Sequence, residues 1–277
     1  MRLRATYPVV EGIHRCLPAD RAAYFATFLD DYTAVRHAEG HAVGDPDYLR
    51  RLPEPTPGTA MEWQWKIRCR TWATFRRQVL PAAPPTLTVV DIGAGVGWLS
   101  NRVSELGHDA HAVDLSVDTA DGLGAAQHFV HHFERYQAEM DDLPFADGTA
   151  DLVVYNASLQ YSTDYARTLA EGLRVLAPTG RLVVLDSPVY RTLAAGQAMV
   201  AERHAQFEER YGTRSESVPS IEFLTDGMLD DLSEELGIRW QRHRTWYGVQ
   251  WALRPWKAKL KGKRPPSRFV VLVATRR

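Results

Sequence analysis

The sequence predicts a doubly wound α/β fold: a mainly parallel sheet of seven strands with helices on both faces. Three observations predict it. From residue 86 onward, short β-branched runs alternate with helical patterns, which implies right-handed crossovers between parallel strands. The first of those runs leads straight into a glycine-rich turn that opens a helix. Pro81-Ala82-Ala83-Pro84-Pro85 forms a stiff linker that separates this half from a helical, aromatic-rich N-terminus. A chain of 277 residues can hold such a domain with an insertion, and 45% hydrophobic with 24% charged residues excludes wholesale disorder.

In chain order, Tyr24, Phe25, Phe28, Leu29, Tyr32 and Val35 repeat at three and four and predict a helix over 21–35. Punctuated loops follow at Gly44-Asp45-Pro46 and Pro53–Gly58. Met61, Trp65, Cys69, Trp72, Phe75 and Val79 keep helical spacing up to the next proline, so a second helix is expected over 59–80. Residues 1–82 are then a helical N-terminal cap, and 83–277 the main domain. Strands are expected at 86–92, 109–114, 134–139, 151–156 and 181–186, with helices at 98–106, 117–131 and 164–176. A longer helix at 191–212 breaks the rhythm and makes 188–224 an insertion. Another helix at 225–236 closes on Gly237. Two last strands, 238–248 and 268–275, flank a basic loop.

Cys16 and Cys69 form neither a disulfide framework nor a zinc quartet and read as ordinary thiols. No run of about 18 apolar residues occurs, and no apolar segment follows the basic N-terminus, so neither a membrane span nor a cleaved signal is expected and a cytoplasmic location is. The net charge of −1 hides a split: from Arg239 onward there are twelve Lys/Arg and no Asp/Glu. That tail calls for an anionic partner or an internal charge match.

The chemistry centres on Asp91-Ile92-Gly93-Ala94-Gly95-Val96-Gly97-Trp98 at the end of the first strand. Glycines let the backbone turn tightly and approach a ligand, and the helix start offers free N–H groups. Trp98 occupies the place of the third glycine of a nicotinamide fingerprint, which argues against a dinucleotide oxidoreductase, and no Gly-Lys-Ser/Thr follows to make a phosphate loop. Asp91 would repel a pyrophosphate and suit a cationic ligand.

These blocks resemble the class I S-adenosylmethionine-dependent methyltransferases, in particular the group with quinone-biosynthesis and other small-molecule enzymes. The likeness runs from about 86 to 190, with an echo at Ser267–Ala274. It rests on the glycine turn, on His111-Ala112-Val113-Asp114-Leu115, on Glu139-Met140-Asp141-Asp142-Leu143-Pro144-Phe145, on Asn156-Ala157-Ser158-Leu159-Gln160-Tyr161 and on Leu173–Arg181. The resemblance implies a Rossmann-like methyltransferase fold whose last strand is antiparallel. It also implies that S-adenosylmethionine is held by Asp91, Gly93, Ala94, Gly95, Asp114, Leu115, Glu139, Met140 and Asn156. Asp114 would accept both ribose hydroxyls, Leu115 and Met140 would flank the adenine, and Glu139, with Asp142 as its rival, would sit near the adenine amino group. Arg68, with Arg70 as its rival, would pair with the methionyl carboxylate.

Gln160, Tyr161 and Tyr190 follow strand ends at the ligand-bearing edge and are candidates for the substrate pocket, as are Asp186 and Ser187. His204, on the apolar face of the inserted helix with Val200, Phe207 and Tyr211, is the candidate general base, against a core role. His128, His131 and His132 have helical ligand spacing but lack a carboxylate or thiolate partner, so no metal is expected. The stretch Arg254–Arg264, with Trp240, Trp246, Tyr247 and Trp251 before it, reads as a solvated loop, a small-anion site or an RNA footprint. The expected activity is methyl transfer to an oxygen or nitrogen, less readily carbon, of a small acceptor, an anionic one included. The alternatives are an RNA-directed methyltransferase and a catalytically silent cofactor-binding subunit.

Overall fold

The structure, a computed structural model, describes residues 1–81, 85–213 and 216–277. The centre of the predicted linker, and with it the expected boundary at 82/83, lies outside the described residues. Two short strands, β1 (Val9–Val10) and β2 (Ile13–Arg15), precede helices α1 (Ala19–Ala38), α2 (Pro46–Arg51) and α3 (Glu62–Gln78). Then come β3 (Thr88–Ile92), α4 (Trp98–Glu105), β4 (Asp109–Asp114), β5 (Glu134–Gln137), β6 (Ala150–Asn156), α5 (Tyr165–Val175) and β7 (Leu176–Leu185). The last part holds β8 (Val189–Tyr190), α6 (Leu193–Tyr211), β9 (Leu224–Thr225), α7 (Asp226–Glu235), β10 (Ile238–Arg244), α8 (Val249–Ala252), α9 (Arg254–Leu260) and β11 (Val270–Arg276).

The main sheet runs β1-β2-β5-β4-β3-β6-β7-β11-β10. Its centre is parallel, and β11 is antiparallel to both β7 and β10, so β10 points the same way as the central strands. Alternation within the strands builds two cores. Val89, Leu152 and Val154 face Phe75, Leu99 and Val103 on one side, while Val90, Val153 and Tyr155 face Leu169, Leu173 and Leu229 on the other. Side-chain caps start the helices of the second half: Asp164 accepts from Arg167 N, Thr192 from Ala195 N and Thr225 from Met228 N.

Four expectations need correction. The sheet has nine strands rather than seven, because β1 and β2 extend its β5 edge, β2 pairing in parallel with β5, so the N-terminal segment is not wholly helical. The helix expected at 117–131 shrinks to a 3-10 segment, Leu123–His128. Asp118 Oδ1 accepts from Ala120 N and Asp121 N, a side-chain turn that competes with helix, and a Cβ at Gly122 would lie 2.6 Å from Ser116 Oγ. With that helix goes the helical spacing of the three histidines; among the described residues no group of three or more His, Cys, Asp or Glu is placed to hold a metal. The basic loop is helical over Arg254–Leu260, where Pro255 suits the first turn and Trp256 and Leu260 keep helical spacing.

Trp98 is 4% exposed and meets Trp65 and Trp72 edge to face at centroid distances of 5.9 and 6.3 Å. The indole that breaks the nicotinamide pattern therefore docks α3 onto α4 and binds the N-terminal helices to the sheet.

Candidate functional site

Parallel strands end on one side of the sheet, and the crossover direction reverses between β3 and β6. A crevice opens at such a point because the loops leaving the two strands run to opposite faces. Here it is a cavity of about 560 Å³. Helix α1 closes one wall with Phe28, Tyr32 and Arg36, and α3 contributes Trp65 and Arg68. An adjoining recess of about 80 Å³ shares Phe28, Leu115, Met140 and Tyr161 with it.

The glycine turn is pinned to β4. Gly93 N and Ala94 N donate to Val113 O at 2.8 and 3.0 Å, and Gly95 N donates to Asp114 Oδ2 at 2.8 Å. Gly93 and Gly95 have φ of 68° and 55°, the left-handed region. A Cβ on Gly93 would lie 2.3 Å from Ser158 Cβ, whereas one on Gly95 would meet nothing within 4 Å. Gly93 therefore permits the contact between the two strand-end loops, and Gly95 borders open space. Asp114 Oδ1 accepts from Ser116 N at 2.8 Å, so each carboxylate oxygen is oriented by one backbone amide and keeps a free lone pair. Burial raises the Asp114 pKa above the ordinary carboxylate value.

At the opposite end, Ala157 and Asp186 terminate β6 and β7 with φ of 54° and 49°. Such strain in side-chain-bearing residues marks places where the surroundings over-determine the backbone. Asp186 Oδ1 accepts from Thr71 Oγ1 at 2.5 Å, Thr71 also contacts Tyr247 Oη at 2.8 Å, and Asp186 Oδ2 is buried with no hydrogen-bond partner. Burial raises the Asp186 pKa, against which Thr71 and Arg68 act. Asn156 Oδ1 is likewise buried without a partner. The Arg68 guanidinium lies over the Trp65 ring at 4.9 Å and makes no hydrogen bond or salt bridge among the described residues. Arg36, by contrast, is neutralised by a two-pronged pair with Asp121 at 2.5 and 2.7 Å. Burial, then Arg36 and Arg68, hold His41 down at about 2, so its ring is neutral.

Of the residues singled out from sequence, Arg68, Gly93, Ala94, Gly95, Asp114, Leu115, Met140, Asn156, Gln160, Tyr161 and Tyr190 all line the large cavity. Glu139 lines only the recess, where both its oxygens accept from Arg21 of α1 at 2.7 and 2.6 Å. Its rival Asp142 pairs with Arg4 instead, and Arg70, the rival of Arg68, donates to Trp246 O at 3.2 Å. Asp91 lines neither space. It sits beneath the turn, 1% exposed, with Oδ2 accepting from Ser100 Oγ at 2.9 Å and Oδ1 unpartnered, and burial pushes its pKa up to about 7.

His204 is not brought to the cavity either. Its Nε2 lies 2.7 Å from Glu222 Oε1 and its Nδ1 3.3 Å from Glu216 Oε2, so both ring nitrogens face carboxylates. Its helix neighbours Met199, Arg203 and Phe207 line the cavity in its stead. The sequence reading gives the α1 stripe only as evidence for a helix, with no site role, and misses His41, Asp121 and Glu222. Only the aromatic richness of α1 was a usable signal, since the others arrive by tertiary packing.

The residues fit S-adenosylmethionine. A cation free of hydrogen bonds among the described residues, the orphaned buried oxygen of Asn156 and the pre-oriented Asp114 carboxylate belong to residues lining one space, as a zwitterionic, ribose-bearing molecule requires. Residues 90–184 match the methyltransferase domain family. The chain is 29% identical over 142 residues to the malonyl-[acyl-carrier protein] O-methyltransferase of Buchnera aphidicola, a match covering 50% of each chain. It is 29% identical over 139 residues to the ubiquinone/menaquinone biosynthesis C-methyltransferase of Vibrio vulnificus, covering 45% of this chain and 51% of that one. The chain thus spans about half the length of these curated relatives. Among solved structures, the 1,6-didemethyltoxoflavin-N1-methyltransferase of Burkholderia thailandensis, with S-adenosylhomocysteine bound, shares the fold with a TM-score of 0.53 at 15% identity, over 94% of this chain and 92% of that one. Residues 90–184 are a methyltransferase domain, and the fold around them is that of S-adenosylmethionine-dependent methyltransferases.

Proposed function

We propose that the protein transfers a methyl group from S-adenosylmethionine to an oxygen or nitrogen of a small acceptor with a flat, apolar body. The observation that carries this reading is the presence, around one cavity, of the Arg68 cation, the orphaned oxygen of Asn156 and the Asp114 carboxylate held by two backbone amides. When bound, the cofactor supplies a methyl group on a sulfonium, which leaves readily to a nucleophile in line with it.

The chain's own work is alignment and exclusion of water. The two Asp114 oxygens, each held by a backbone amide, accept the ribose hydroxyls. Leu115 and Met140 flank the adenine under α1. Arg68 holds the carboxylate of the methionyl end. Trp63, Tyr190, Met199, Phe207, Trp251 and Phe269 remain to surround the acceptor. The cations near that end are already matched, Arg203 by Glu222 and Arg264 by Glu202, which supports an apolar acceptor over an anionic one. With His204 engaged elsewhere, the cavity-lining Asp186, whose Oδ2 has no hydrogen-bond partner, would take a proton from an acceptor hydroxyl or ammonium.

Calorimetric titration with S-adenosylhomocysteine tests the reading. Micromolar binding is expected, weakened about 100-fold in Asp114→Ala, where two hydrogen bonds to a charged group are lost, and about tenfold or more in Arg68→Ala. Absence of binding, or binding indifferent to both substitutions, overturns it.

A further inference from the structure

The segment after β10 presents a feature that the cofactor and acceptor sites do not use. Helices α8 and α9 are almost continuous, with the single residue Leu253 between them. Val249, Leu253, Trp256 and Leu260 follow one another at spacings of 4, 3 and 4, one helical face, and are 64, 44, 69 and 86% exposed. An apolar stripe of this length turned to solvent is unusual for a protein surface; here it contains the indole of Trp256, and a second exposed indole, Trp246, stands three residues before α8.

The opposite side of the same element is anchored. Trp251 packs on Tyr247 and Phe269 at 4.9 and 5.5 Å, and Arg254 stacks over the Trp251 ring at 3.7 Å. Lysines 257, 259, 261 and 263 flank the stripe and make no salt bridge among the described residues, and 254–264 contains no acidic residue. The anchored side also reaches the cavity: Trp251 and Phe269 line it, and the half-exposed Trp63 meets Trp251 at 6.4 Å.

We propose that α8–α9 is a membrane-surface docking element that lays its Trp/Val/Leu face into the headgroup region of an anionic lipid bilayer. The composition is that of an interfacial helix: indoles and leucine enter the boundary layer, and lysines at its margins meet lipid phosphates. Charge complementarity selects an anionic surface. An acidic protein or an RNA would engage the lysines, but neither gives the exposed Leu260 and Val249 an apolar partner. No helix of the described residues is long and apolar enough to cross a membrane, so the contact is peripheral. The surface itself stands independently of the acceptor assignment.

The test is flotation of the full chain with phosphatidylcholine vesicles, with and without phosphatidylglycerol, read alongside indole fluorescence. Binding to the anionic vesicles with a blue shift is expected. Trp256→Ser combined with Leu260→Ser should lower partitioning at least about tenfold. Lys257→Gln combined with Lys259→Gln should lower it about tenfold on anionic vesicles only. These side chains are exposed, so melting temperature and S-adenosylhomocysteine affinity should stay at wild-type values in both variants. The proposal is overturned by failure to bind vesicles, by binding undiminished in the Trp256/Leu260 variant, or by capture of an acidic carrier protein or an RNA oligonucleotide with vesicles ignored. Loss of S-adenosylhomocysteine binding in the wild type would overturn the cofactor reading alone.

Discussion

The two ends of the cavity are built by different means. At the cofactor end the groups that matter are backbone amides and carboxylates at strand ends, each fixed by the sheet: Gly95 N on Asp114, Ser116 N on Asp114, and Gly93 N on Val113 O. At the acceptor end the walls are aromatic and aliphatic side chains carried by α3, α6 and α8, elements far apart in sequence. The first end is rigid because strand register dictates it; the second can be re-lined without disturbing the sheet. That difference separates the chemistry common to a methyltransferase domain from the selectivity of one chain.

Five substitutions break or sharpen this contrast, the loss of turnover first. Asp186→Asn should reduce turnover of a naphthol or naphthylamine probe about 100-fold while leaving S-adenosylhomocysteine affinity unchanged. The carboxyl must be ionised to accept a proton and burial raises its pKa, so the wild-type rate should climb with pH above the ordinary carboxylate range, and the variant should lose that limb. A fall in affinity instead would move Asp186 to the cofactor.

Gly93→Ala should destabilise the fold by about 2–4 kcal/mol, because the new Cβ meets Ser158 and the backbone is left-handed. Gly95→Ala should cost only about 1 kcal/mol of stability and act mainly on cofactor affinity. Thermal melts compared with titrations separate the two effects.

Asp91→Asn probes the buried carboxyl beneath the turn. The folded-state pKa of about 7 exceeds the unfolded value of 3.8, so the native state holds the extra proton between them and wild-type stability falls as pH rises through that window. The variant escapes this loss, and its melting temperature should gain on the wild type from pH 4 to 7 and run parallel above, a stability difference of about 4 kcal/mol. Parallel curves throughout would mean that Asp91 stays ionised. The smallest effect is expected from Trp251→Ala: about tenfold in the KM of the naphthol probe, with S-adenosylhomocysteine affinity within error of wild type. A large drop in that affinity would show that the two ends are not separable.

Local pattern alone determined much of this protein. The glycine turn, Asp114 at a strand end and Asn156 at another could be read because each is defined by what immediately precedes and follows it. Strand alternation and helical spacing depend on neighbours within one or two turns, so β3, β4, α4, α5, α6 and α7 were legible, as was the placement of their connecting loops on one edge. Tertiary structure alone decided which face of α1 would close the site, that Arg21 would take Glu139, and that Glu222 would hold His204 away from the cavity. It also added β1 and β2 to the sheet edge and turned the apolar side of α8–α9 outward. A helical stripe announces that one face is apolar, but whether it meets a core, a ligand or a membrane depends on partners brought in from distant parts of the chain.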